Sequence, residues 1–514
     1  MILVPSKRAL VFGVEETPRI LAAIPTAIPV HREGKIISVV PHRLDETRVL
    51  RNIGFDAPNP VRHYYSWPGR FTPFAHQVET TAFLTENRRA FCLNDMGTGK
   101  TLSILWAFDY LKSIGHVHKM VLFSPLSTLE RVWGDEIFLN FPHLNYQICH
   151  SYSAERRKKL LNEDADIYII NHDGVKILAD MLRERTDIDV ACIDESAAFR
   201  NYKTDRWAAM EKVVRNRKYL WLATGSPTPN RPTDAWAQCK LVVPERVPKY
   251  FTRFRDMTMK QRGPFTWVER PEALEIVAAA MQPSKRFKRE DCLDLPPITV
   301  SARHVELSSE QQKLYKEMVA KLRTEYEGGT IAAVNEAVKA MKLVQIACGV
   351  AYAVDGEHIQ IPVGPRVQVV KEIIEEAEGK VLVFVPLTGG LEMIAEEIRK
   401  DFSCEVVYGE VGKTVRDDIF MRFQKLKDPH VIVAHPKCMA HGLNLQVANT
   451  IIWYIPTWDN EVYEQACDRI PRPGQKLNMH IIHIEGTEVE RRMYRRLAHK
   501  GERQDTLLDM LEGE

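Results

Sequence analysis

Short apolar runs alternate with longer amphipathic stretches over most of the chain. Between residues 89 and 225 the apolar runs are RAFCLN, KMVLFSP, DIYIIN, VACIDE and KYLWLATG. Uninterrupted apolar runs of this length are typical of strands buried on both faces of a parallel sheet, and the intervening stretches are typical of helices that cover it. The pattern predicts an α/β lobe in this part of the chain.

A second set of apolar runs begins near residue 380. These runs are KVLVFVP, CEVVYG, HVIVAHP, NTIIWYIP and MHIIHIE, again with amphipathic stretches between them. The region from about 245 to 345 is charged and mixed in character, and we predict that it is helical. Together the two sets predict two α/β lobes in tandem, each a parallel sheet covered by helices.

The first 60 residues differ from both sets. Alternating runs such as ALVFGV and KIISVV, separated by prolines, predict a small β-rich module. The stretch 57–74 is rich in proline and aromatic residues and has the character of a linker. We therefore divide the chain into an accessory module with its linker (1–68), a first lobe with a helical insertion from about 240 (69–300), and a second lobe (301–514).

Composition narrows the class of protein without indicating a partner. The 514 residues include 70 basic and 68 acidic side chains, so the net charge of +2 is uninformative. The nine cysteines form no CxxC pair, which disfavours a disulfide framework and a cysteine-rich zinc module. The start lacks a signal-peptide layout, and no apolar run approaches membrane-spanning length. We expect a soluble cytoplasmic protein, in the host cytoplasm if it is viral, with no membrane partner.

Residues 91–101 read FCLNDMGTGKT and resemble a phosphate-binding loop. Such a loop needs glycines, a lysine and a hydroxyl between a strand and a helix, because backbone N–H groups surround the phosphates at the helix N-terminus. Gly97, Gly99, Lys100 and Thr101 supply these parts, although Asn94 stands where the usual pattern has its first glycine. The alternative is a strand-to-helix turn that needs glycine for other reasons.

A pair of carboxylates follows one of the predicted strands. VACIDES places Asp194 and Glu195 at the end of an apolar run, where an open α/β sheet presents its ligand crevice. In nucleotide hydrolases an aspartate at this place helps to hold Mg²⁺, and a glutamate can orient and deprotonate the attacking water. An Asp-Glu pair alone also occurs where a strand simply meets solvent. Together with the loop it predicts a nucleotide hydrolase.

The order of several motifs identifies a family. The motifs are FAHQ (74–77), MGTGKT (96–101), SPLSTLERVW (124–133), IDES (193–196), ATGSPTPN (223–230), VLVFVP (381–386), HGLNL (441–445) and QACDRIPRPGQ (465–475). This series resembles the superfamily-two helicase-like ATPases. The segment 285–297, which ends in Leu-Pro-Pro, LVQIAC (343–348) and the signature at 456–475 most resemble the SNF family, and the compact build resembles its phage and bacterial members.

The resemblance implies two RecA-like lobes that bind ATP and Mg²⁺ between them. Gln77 would recognise the adenine, and Mg²⁺ would be held by Thr101 and Asp194. The remaining implied nucleotide-binding residues are Gly97, Thr98, Gly99, Lys100, Thr101 and Gly442. Lys100, Asp194 and Glu195 would be catalytic, together with Arg469 and Arg472, which would reach the γ-phosphate from the second lobe as arginine fingers.

The family resemblance also implies a motor that moves on nucleic acid. We expect DNA as the partner, with duplex or branched DNA favoured, and a monomeric protein. The basic segment at 284–290 contains Lys285, Arg286, Lys288 and Arg289, which we predict to contact phosphates. A strand-separating DNA or RNA helicase and a nucleotide-gated DNA-binding module with little turnover are the alternatives.

Two departures from the family pattern affect the coupling between the lobes. Ser196 and Ala197 follow the Asp-Glu pair, where relatives usually have Ala-His, so a histidine that often couples the lobes is missing. Pro471 and Pro473 flank Arg472 and are expected to stiffen the loop that carries it. We therefore expect coupling to run through other residues.

Overall fold

The computed structural model describes residues 1–263, 266–292, 294–327, 333–352, 358–439 and 445–512. The strands are β1 (Ile2–Val4), β2 (Ala9–Phe12), β3 (Ile28–Arg32), β4 (Lys35–Pro41), β5 (Arg89–Cys92), β6 (Lys119–Ser124), β7 (Tyr146–Ile148), β8 (Ile167–Asn171), β9 (Ile188–Asp194), β10 (Tyr219–Ala223), β11 (Met259–Gln261), β12 (Trp267–Glu269), β13 (Ser284–Lys285), β14 (Ile298–His304), β15 (Val350–Tyr352), β16 (His358–Gln360), β17 (Lys380–Phe384), β18 (Cys404–Val407), β19 (Val431–Ala434), β20 (Ala448–Trp453) and β21 (Met479–Glu485).

The α-helices are α1 (Thr17–Ala23), α2 (Leu44–Asn52), α3 (Val61–Tyr64), α4 (Ala75–Glu86), α5 (Lys100–Ser113), α6 (Asp135–Asn140), α7 (Ala154–Asn162), α8 (Val175–Glu184), α9 (Asp205–Val214), α10 (Asp234–Val242), α11 (Phe251–Thr258), α12 (Ala273–Ala280), α13 (Arg289–Cys292), α14 (Ser309–Glu327), α15 (Ala333–Cys348), α16 (Gly364–Glu376), α17 (Thr388–Arg399), α18 (Lys413–Lys425), α19 (Asn460–Cys467) and α20 (Glu488–Glu512).

The N-terminal module is a small antiparallel sheet with its own core. Its strands lie in the order β1-β2-β4-β3, and Leu10, Phe12, Ile20 and Val40 are buried between the sheet and the adjoining helices. The alternation in ALVFGV places one face of β2 inward, as a period of two residues requires. The predicted β-rich module is therefore confirmed.

The aromatic linker packs on the first lobe. The Trp106 indole in α5 donates to the carbonyl of Pro68 at 2.9 Å, and the rings of Trp67 and Trp106 meet edge to face at 5.6 Å. The Tyr65 hydroxyl donates to Oδ2 of Asp109, also in α5, at 2.5 Å. These contacts attach the N-terminal module to the helix that follows the phosphate-binding loop.

The first lobe contains a seven-stranded parallel sheet. The strand order is β13-β5-β10-β9-β6-β8-β7, and helices cover both faces over two apolar cores. The short β13 follows the helical insertion and pairs with β5 at the sheet edge. Because all the strands run in parallel, the loops after β5, β6, β9 and β10 emerge at one edge, which is where open α/β sheets bind ligands.

The second lobe contains a six-stranded sheet in the order β14-β21-β20-β17-β19-β18, with every pair parallel. Its core holds a buried ion pair between Arg366 of α16 and Glu490 of α20, with a shortest distance of 2.8 Å. The predicted fold class, two α/β lobes each built on a parallel sheet, is confirmed. The prediction that the region 245–345 is helical is correct for α11, α12, α14 and α15 but wrong for β11 to β14, which also lie there. The helical insertion lies within the first lobe, because β13 follows it and pairs with β5, whereas β14 belongs to the second sheet.

The final helix links the two lobes. Its first turns belong to the second lobe, where the Tyr494 hydroxyl donates to the carbonyl of Trp453 at 3.1 Å. Its later turns reach the first lobe, because Leu507 is buried in that lobe's core and Arg503 pairs with Glu269 of β12. The predicted second lobe (301–514) therefore ends in a segment that packs on the first lobe.

None of the helices formed by the described residues combines the length and the apolar character that crossing a bilayer requires.

Candidate active site

The phosphate-binding loop joins β5 to α5 at the ligand edge of the first sheet. Gly97 (φ 85°) and Gly99 (φ 78°) adopt left-handed backbone conformations, which favour glycine. A Cβ atom at Gly99 would meet the end of the Gln77 side chain, so any side chain there would displace Gln77 from the loop. The predicted strand, glycine-rich loop and helix are thus present in this order.

Asn94 occupies the place of the usual first glycine without backbone strain. Its backbone φ is not positive, so its conformation does not require glycine. Its buried side chain donates from Nδ2 to Thr80 Oγ1 of α4 at 2.8 Å, and its carbonyl accepts from Lys100 Nζ at 2.8 Å. Asn94 therefore connects the loop to α4 and holds the loop lysine.

The FAHQ segment lies against the same loop. Gln77 is buried, and its Oε1 accepts from the backbone N–H of Phe74 at 2.9 Å, while its Nε2 donates to the carbonyl of Gly99 at 3.4 Å. His76 Nε2 donates to the carbonyl of Thr98 at 2.9 Å, and its ring stacks on Phe74 at 5.6 Å. The contact made by His76 was not foreseen, because nothing in its sequence position distinguishes it from an ordinary helix residue.

Asp194 ends β9 and is held by three hydrogen bonds. Its Oδ2 accepts from Ser124 Oγ and from Trp133 Nε1, each at 3.0 Å, and its Oδ1 accepts from the backbone N–H of Glu195 at 3.0 Å. Ser124 and Trp133 belong to SPLSTLERVW, a motif that the sequence marked without assigning a role to either residue. Three donors to one carboxylate fix its orientation.

Glu195 lies between charges from both lobes. Burial, together with the nearby charges of Asp194 and Glu461, raises the pKa of its carboxyl to about 7, and Lys100 and Arg469 oppose part of the rise. Its backbone has φ 49°, a left-handed conformation that is unusual for a residue with a side chain and that clusters at functional sites. A carboxylate with this pKa can exchange a proton near neutral pH.

Two arginines of the second lobe reach the phosphate-binding loop. Arg469 is buried, and its Nη2 lies 3.9 Å from the sulfur of Met96. The Arg472 side chain lies 3.5 Å from the place that a Cβ of Gly97 would occupy. Burial lowers the pKa of both guanidinium groups, and Glu195 partly restores both. The structure thus brings Lys100, Asp194 and Glu195 of one lobe together with both arginines of the other.

The loop around Arg472 is also held from within the second lobe. Arg472 Nε donates to the carbonyl of Asp468 at 2.9 Å, and Arg469 Nε donates to the carbonyl of Gln465 at 2.7 Å. Both bonds leave the terminal nitrogens of the guanidinium groups directed at the other lobe. The flanking Pro471 and Pro473 have fixed φ angles, which restricts this loop.

The basic segment at 284–290, which begins with β13, contacts both lobes. Arg286 is buried and pairs with Asp95 of the phosphate-binding loop at 2.6 Å, and Arg289 pairs with Asp468 at 2.5 Å. Lys285 lies over the ring of Phe287 at 4.9 Å. Contact with nucleic acid stays a prediction for these residues and for Lys288, and for the two arginines it would require the ion pairs to break.

The oxygen donors predicted for Mg²⁺ lie near one another in the sheet. Thr101 stands in the first turn of α5 after β5, and Asp194 ends β9, with only β10 between the two strands. Hydroxyl and carboxylate oxygens are the ligands that Mg²⁺ prefers, and the oriented carboxylate of Asp194 fits that role. Gly442, predicted to sense nucleotide, lies outside the described residues.

Comparisons with known proteins agree with these observations. Residues 76–348 match the model of the SNF2-related domain, and residues 365–474 match the helicase conserved C-terminal domain. Protein p41 of Acyrthosiphon pisum secondary endosymbiont phage 1 is 27% identical over 78% of this chain and 88% of its own length. The ISWI chromatin-remodeling complex ATPase ISW1 of Saccharomyces cerevisiae is 24% identical over 84% of this chain, which spans 40% of that protein.

Among solved structures, the Sulfolobus solfataricus SWI2/SNF2 ATPase core in complex with dsDNA is 24% identical, with a TM-score of 0.43 over 85% of this chain and 93% of that one. The SNF2-related model alone covers more than half of the present chain. The match to the SNF2-related model agrees with the expected motif series and with the two α/β lobes. The chain belongs to the SNF2 family of helicase-like ATPases.

Proposed function

We propose that the protein couples ATP hydrolysis to movement on duplex or branched DNA and thereby remodels DNA or DNA-protein complexes. One observation carries the proposal: the residues suited to hydrolysis come from two lobes. Lys100 and Glu195 belong to the first lobe, and Arg469 and Arg472 belong to the second. A site divided in this way is complete only when the lobes are closed, so each hydrolytic cycle would change how they are arranged.

The phosphate-binding loop would hold the nucleotide. Backbone N–H groups between Gly97 and Thr101 would donate to the phosphates, and Lys100 would exchange the carbonyls of Asn94 and Asp95 for phosphate oxygens. Thr101 and Asp194 would hold Mg²⁺, which neutralises charge on the phosphates when bound. Gln77 lies against the loop, where we propose that it recognises the adenine.

Glu195 would prepare the water that attacks the γ-phosphorus. The carboxylate takes a proton as the new P–O bond forms, and the bond to the ADP oxygen breaks. Its pKa of about 7 suits a base that acts near neutral pH. Arg469 and Arg472 would stabilise the negative charge on the γ-phosphoryl group from the opposite side, as arginine fingers do in other NTPases.

DNA as the partner is supported by the family rather than by the charge of the chain. The net charge of +2 gives no indication, whereas ISW1 is named as the ATPase of a chromatin-remodeling complex. We therefore propose DNA as the track, with duplex or branched forms favoured over single strands. We further propose that a monomer is sufficient, because both halves of the hydrolytic site belong to one chain.

Steady-state ATP hydrolysis tests the proposal. The purified chain is assayed alone and with duplex DNA, forked DNA, single-stranded DNA and RNA, and Lys100→Ala serves as the control for contaminating ATPases. Stimulation by duplex or forked DNA, together with displacement of a third strand from a triplex, is the expected result.

The other outcomes point to different functions. Stimulation by single strands or RNA alone, with separation of a forked duplex, would indicate an unwinding helicase. DNA binding that responds to ATP without measurable hydrolysis would indicate a nucleotide-gated binding module. Either result would contradict translocation on duplex DNA.

A further inference from the structure

Three acidic residues lie along one side of the helix that precedes the arginine fingers. Glu461 and Glu464 belong to α19, and Asp468 follows its last turn. Their spacing of three and four residues places them on one helical face. We call this set the acidic ridge.

Each member of the acidic ridge contacts the first lobe. Glu461 Oε2 accepts from Arg200 Nη1 at 2.8 Å, and Asp468 Oδ1 accepts from Arg289 Nη1 at 2.5 Å. Glu464 Oε2 accepts from the hydroxyl of Ser226. The second lobe is thus joined to the first at three successive points beside the hydrolytic site.

The partners of the ridge come from segments that also carry the hydrolytic site. Arg200 closes the 3-10 turn Ser196–Phe199, which begins immediately after Glu195, and its Nη1 also donates to the carbonyl of Ala197 at 3.0 Å. Ser226 follows β10, which lies between the strands that end at the phosphate-binding loop and at Asp194. A shift of the ridge would therefore displace the segments that contain Arg200 and Ser226, which adjoin the proposed nucleotide site.

The third partner reaches the phosphate-binding loop itself. The backbone N–H of Arg289 donates to Asp95 Oδ2 at 3.0 Å, while the Arg289 side chain binds Asp468. On the ridge side, the carbonyl of Asp468 accepts from Arg472 Nε. One chain of contacts therefore runs from the loop, through Arg289 and Asp468, to a finger arginine.

The two ion pairs of the acidic ridge are partly buried. The side chains of Arg200 and Glu461 are 30% and 17% exposed, and those of Arg289 and Asp468 are 19% and 21% exposed. The cross-lobe pair of Arg131 and Asp417 is more open, with 60% and 31% exposed. Partly buried ion pairs are screened less by salt and hold a fixed geometry better than exposed pairs.

We infer that the acidic ridge docks α19 on the first lobe and so positions Arg469 and Arg472 at the nucleotide. Glu461, Glu464 and Asp468 are positioning residues in this scheme, because they act through the arginines. In this scheme the ridge couples the second lobe to the segments that follow Glu195 and β10 in the first lobe. The inference rests on the proposed role of the two arginines in ATP hydrolysis.

Reversing one charge of the pair between Arg200 and Glu461 tests the inference, because neither residue touches the phosphate-binding loop. In Glu461→Arg we expect turnover to fall about 10- to 100-fold, the effect of displacing a catalytic group by about an ångström. The affinity for a fluorescent ATP analogue and the unfolding midpoint are expected to stay near the wild-type values. The double variant Arg200→Glu with Glu461→Arg is expected to recover most of the lost turnover.

A milder variant and a matched control complete the experiment. Glu461→Gln removes the charge with almost no change of shape and is expected to lose turnover less severely. Glu488→Gln removes a carboxylate whose ion pairs with Arg491, Arg492 and Arg495 all lie within α20, so turnover should not change. Wild-type turnover in Glu461→Gln and Glu461→Arg would overturn the inference, and so would a folded double variant that recovers nothing.

Arg469→Ala separates a failure of the inference from a failure of the proposed function. If Arg469→Ala loses turnover while the ridge variants turn over normally, Arg469 acts as an arginine finger but the acidic ridge does not position it. Normal turnover in Arg469→Ala would instead reject the finger on which the inference depends.

Discussion

The indole of Trp133 donates a hydrogen bond of 3.0 Å to Oδ2 of Asp194, the carboxylate that we propose as a ligand of Mg²⁺. Trp133 is buried in a six-residue π-helix, Leu129–Gly134, and a π-helix is rare and often found at functional sites. The same π-helix carries Glu130 and Arg131, which pair with Lys413 and Asp417 of the second lobe. A residue that orients the proposed metal ligand thus belongs to a segment that contacts the opposite lobe.

Replacement of Trp133 by phenylalanine keeps an aromatic ring in the core and removes this donor. We expect the Mg²⁺ concentration for half-maximal ATP hydrolysis to rise about 10-fold, since groups that orient a metal ligand typically contribute this much to affinity. A Mg²⁺ titration of ATPase activity measures the effect.

Trp221→Phe is the matched control for Trp133→Phe. Trp221 is buried in the same core, and its indole donates to the carbonyl of Asn87 at 3.1 Å, away from the two carboxylates. An equal change of Mg²⁺ dependence in the two variants would show that general loosening of the core, rather than the bond to Asp194, is responsible.

Glu195→Gln preserves the size of the side chain and removes its ability to accept a proton. We expect ATP turnover to fall by at least about 100-fold, the usual contribution of a general base, while the affinity for ATP stays near the wild-type value. Turnover and binding of a fluorescent ATP analogue are measured on the same preparation. Near-normal hydrolysis in this variant would remove the proposed role of Glu195.

The raised pKa of Glu195 also predicts a dependence of stability on pH. Between the ordinary carboxyl value of 4.5 and the folded value of about 7, the folded protein binds a proton that the unfolded chain has lost. The free energy of unfolding attributable to this group therefore falls as the pH rises through that interval and stays low above it.

The glutamine side chain in Glu195→Gln cannot ionise. We therefore expect this variant to be more stable than the wild-type protein at pH 8, and the two proteins to have similar stability at pH 4.5. Thermal unfolding of both proteins at the two pH values, without nucleotide, measures the difference. A difference between the proteins that is the same at both pH values would contradict the raised pKa.

The buried pair of Arg366 and Glu490 predicts a large effect on stability far from the site. The two side chains are 1% and 0% exposed, and Arg366 Nη1 also donates to the carbonyl of Tyr454 at 2.6 Å. Arg366→Ala leaves a buried carboxylate without its partner, and we expect it to lower the free energy of unfolding by about 3–5 kcal/mol. Denaturant unfolding, followed by circular dichroism, measures the loss.

Arg303→Ala provides the comparison for Arg366→Ala. Arg303 pairs with Glu376 within the same lobe, and both side chains are about half exposed. An exposed ion pair of this kind contributes less than about 1 kcal/mol. Similar losses in the two variants would show that burial does not govern the contribution of these pairs.

Much of the site follows from local sequence patterns. The apolar run before Asp194 forms β9, and the apolar run before the phosphate-binding loop forms β5. Helices cover both faces of a parallel sheet, so successive side chains of a central strand are buried and the strand is a continuous apolar run. The glycines at 97 and 99 occupy left-handed conformations, as a tight turn between strand and helix requires. These features depend on neighbouring residues, so one sequence was enough to predict them.

The roles of Trp133, Arg286 and Arg289 did not follow from such patterns. A tryptophan before a helix usually indicates a core position, and Trp133 is indeed buried. Its indole nitrogen also donates a hydrogen bond to Asp194, which lies 61 residues away in the chain. A cluster of arginines usually indicates a solvated or phosphate-binding surface. In the structure Asp95 and Asp468 approach from distant segments and pair with these side chains.

The chain's own pattern of apolar runs, glycines and carboxylates determines two lobes, a phosphate-binding loop and an acidic pair, because helices, strands and turns depend on residues close in sequence. The closed arrangement of the lobes, the pKa of Glu195 and the docking of the acidic ridge depend on distances between residues far apart in sequence. Charges and hydrogen bonds act through space and change steeply with burial, so these features were settled by the packing of one lobe against the other.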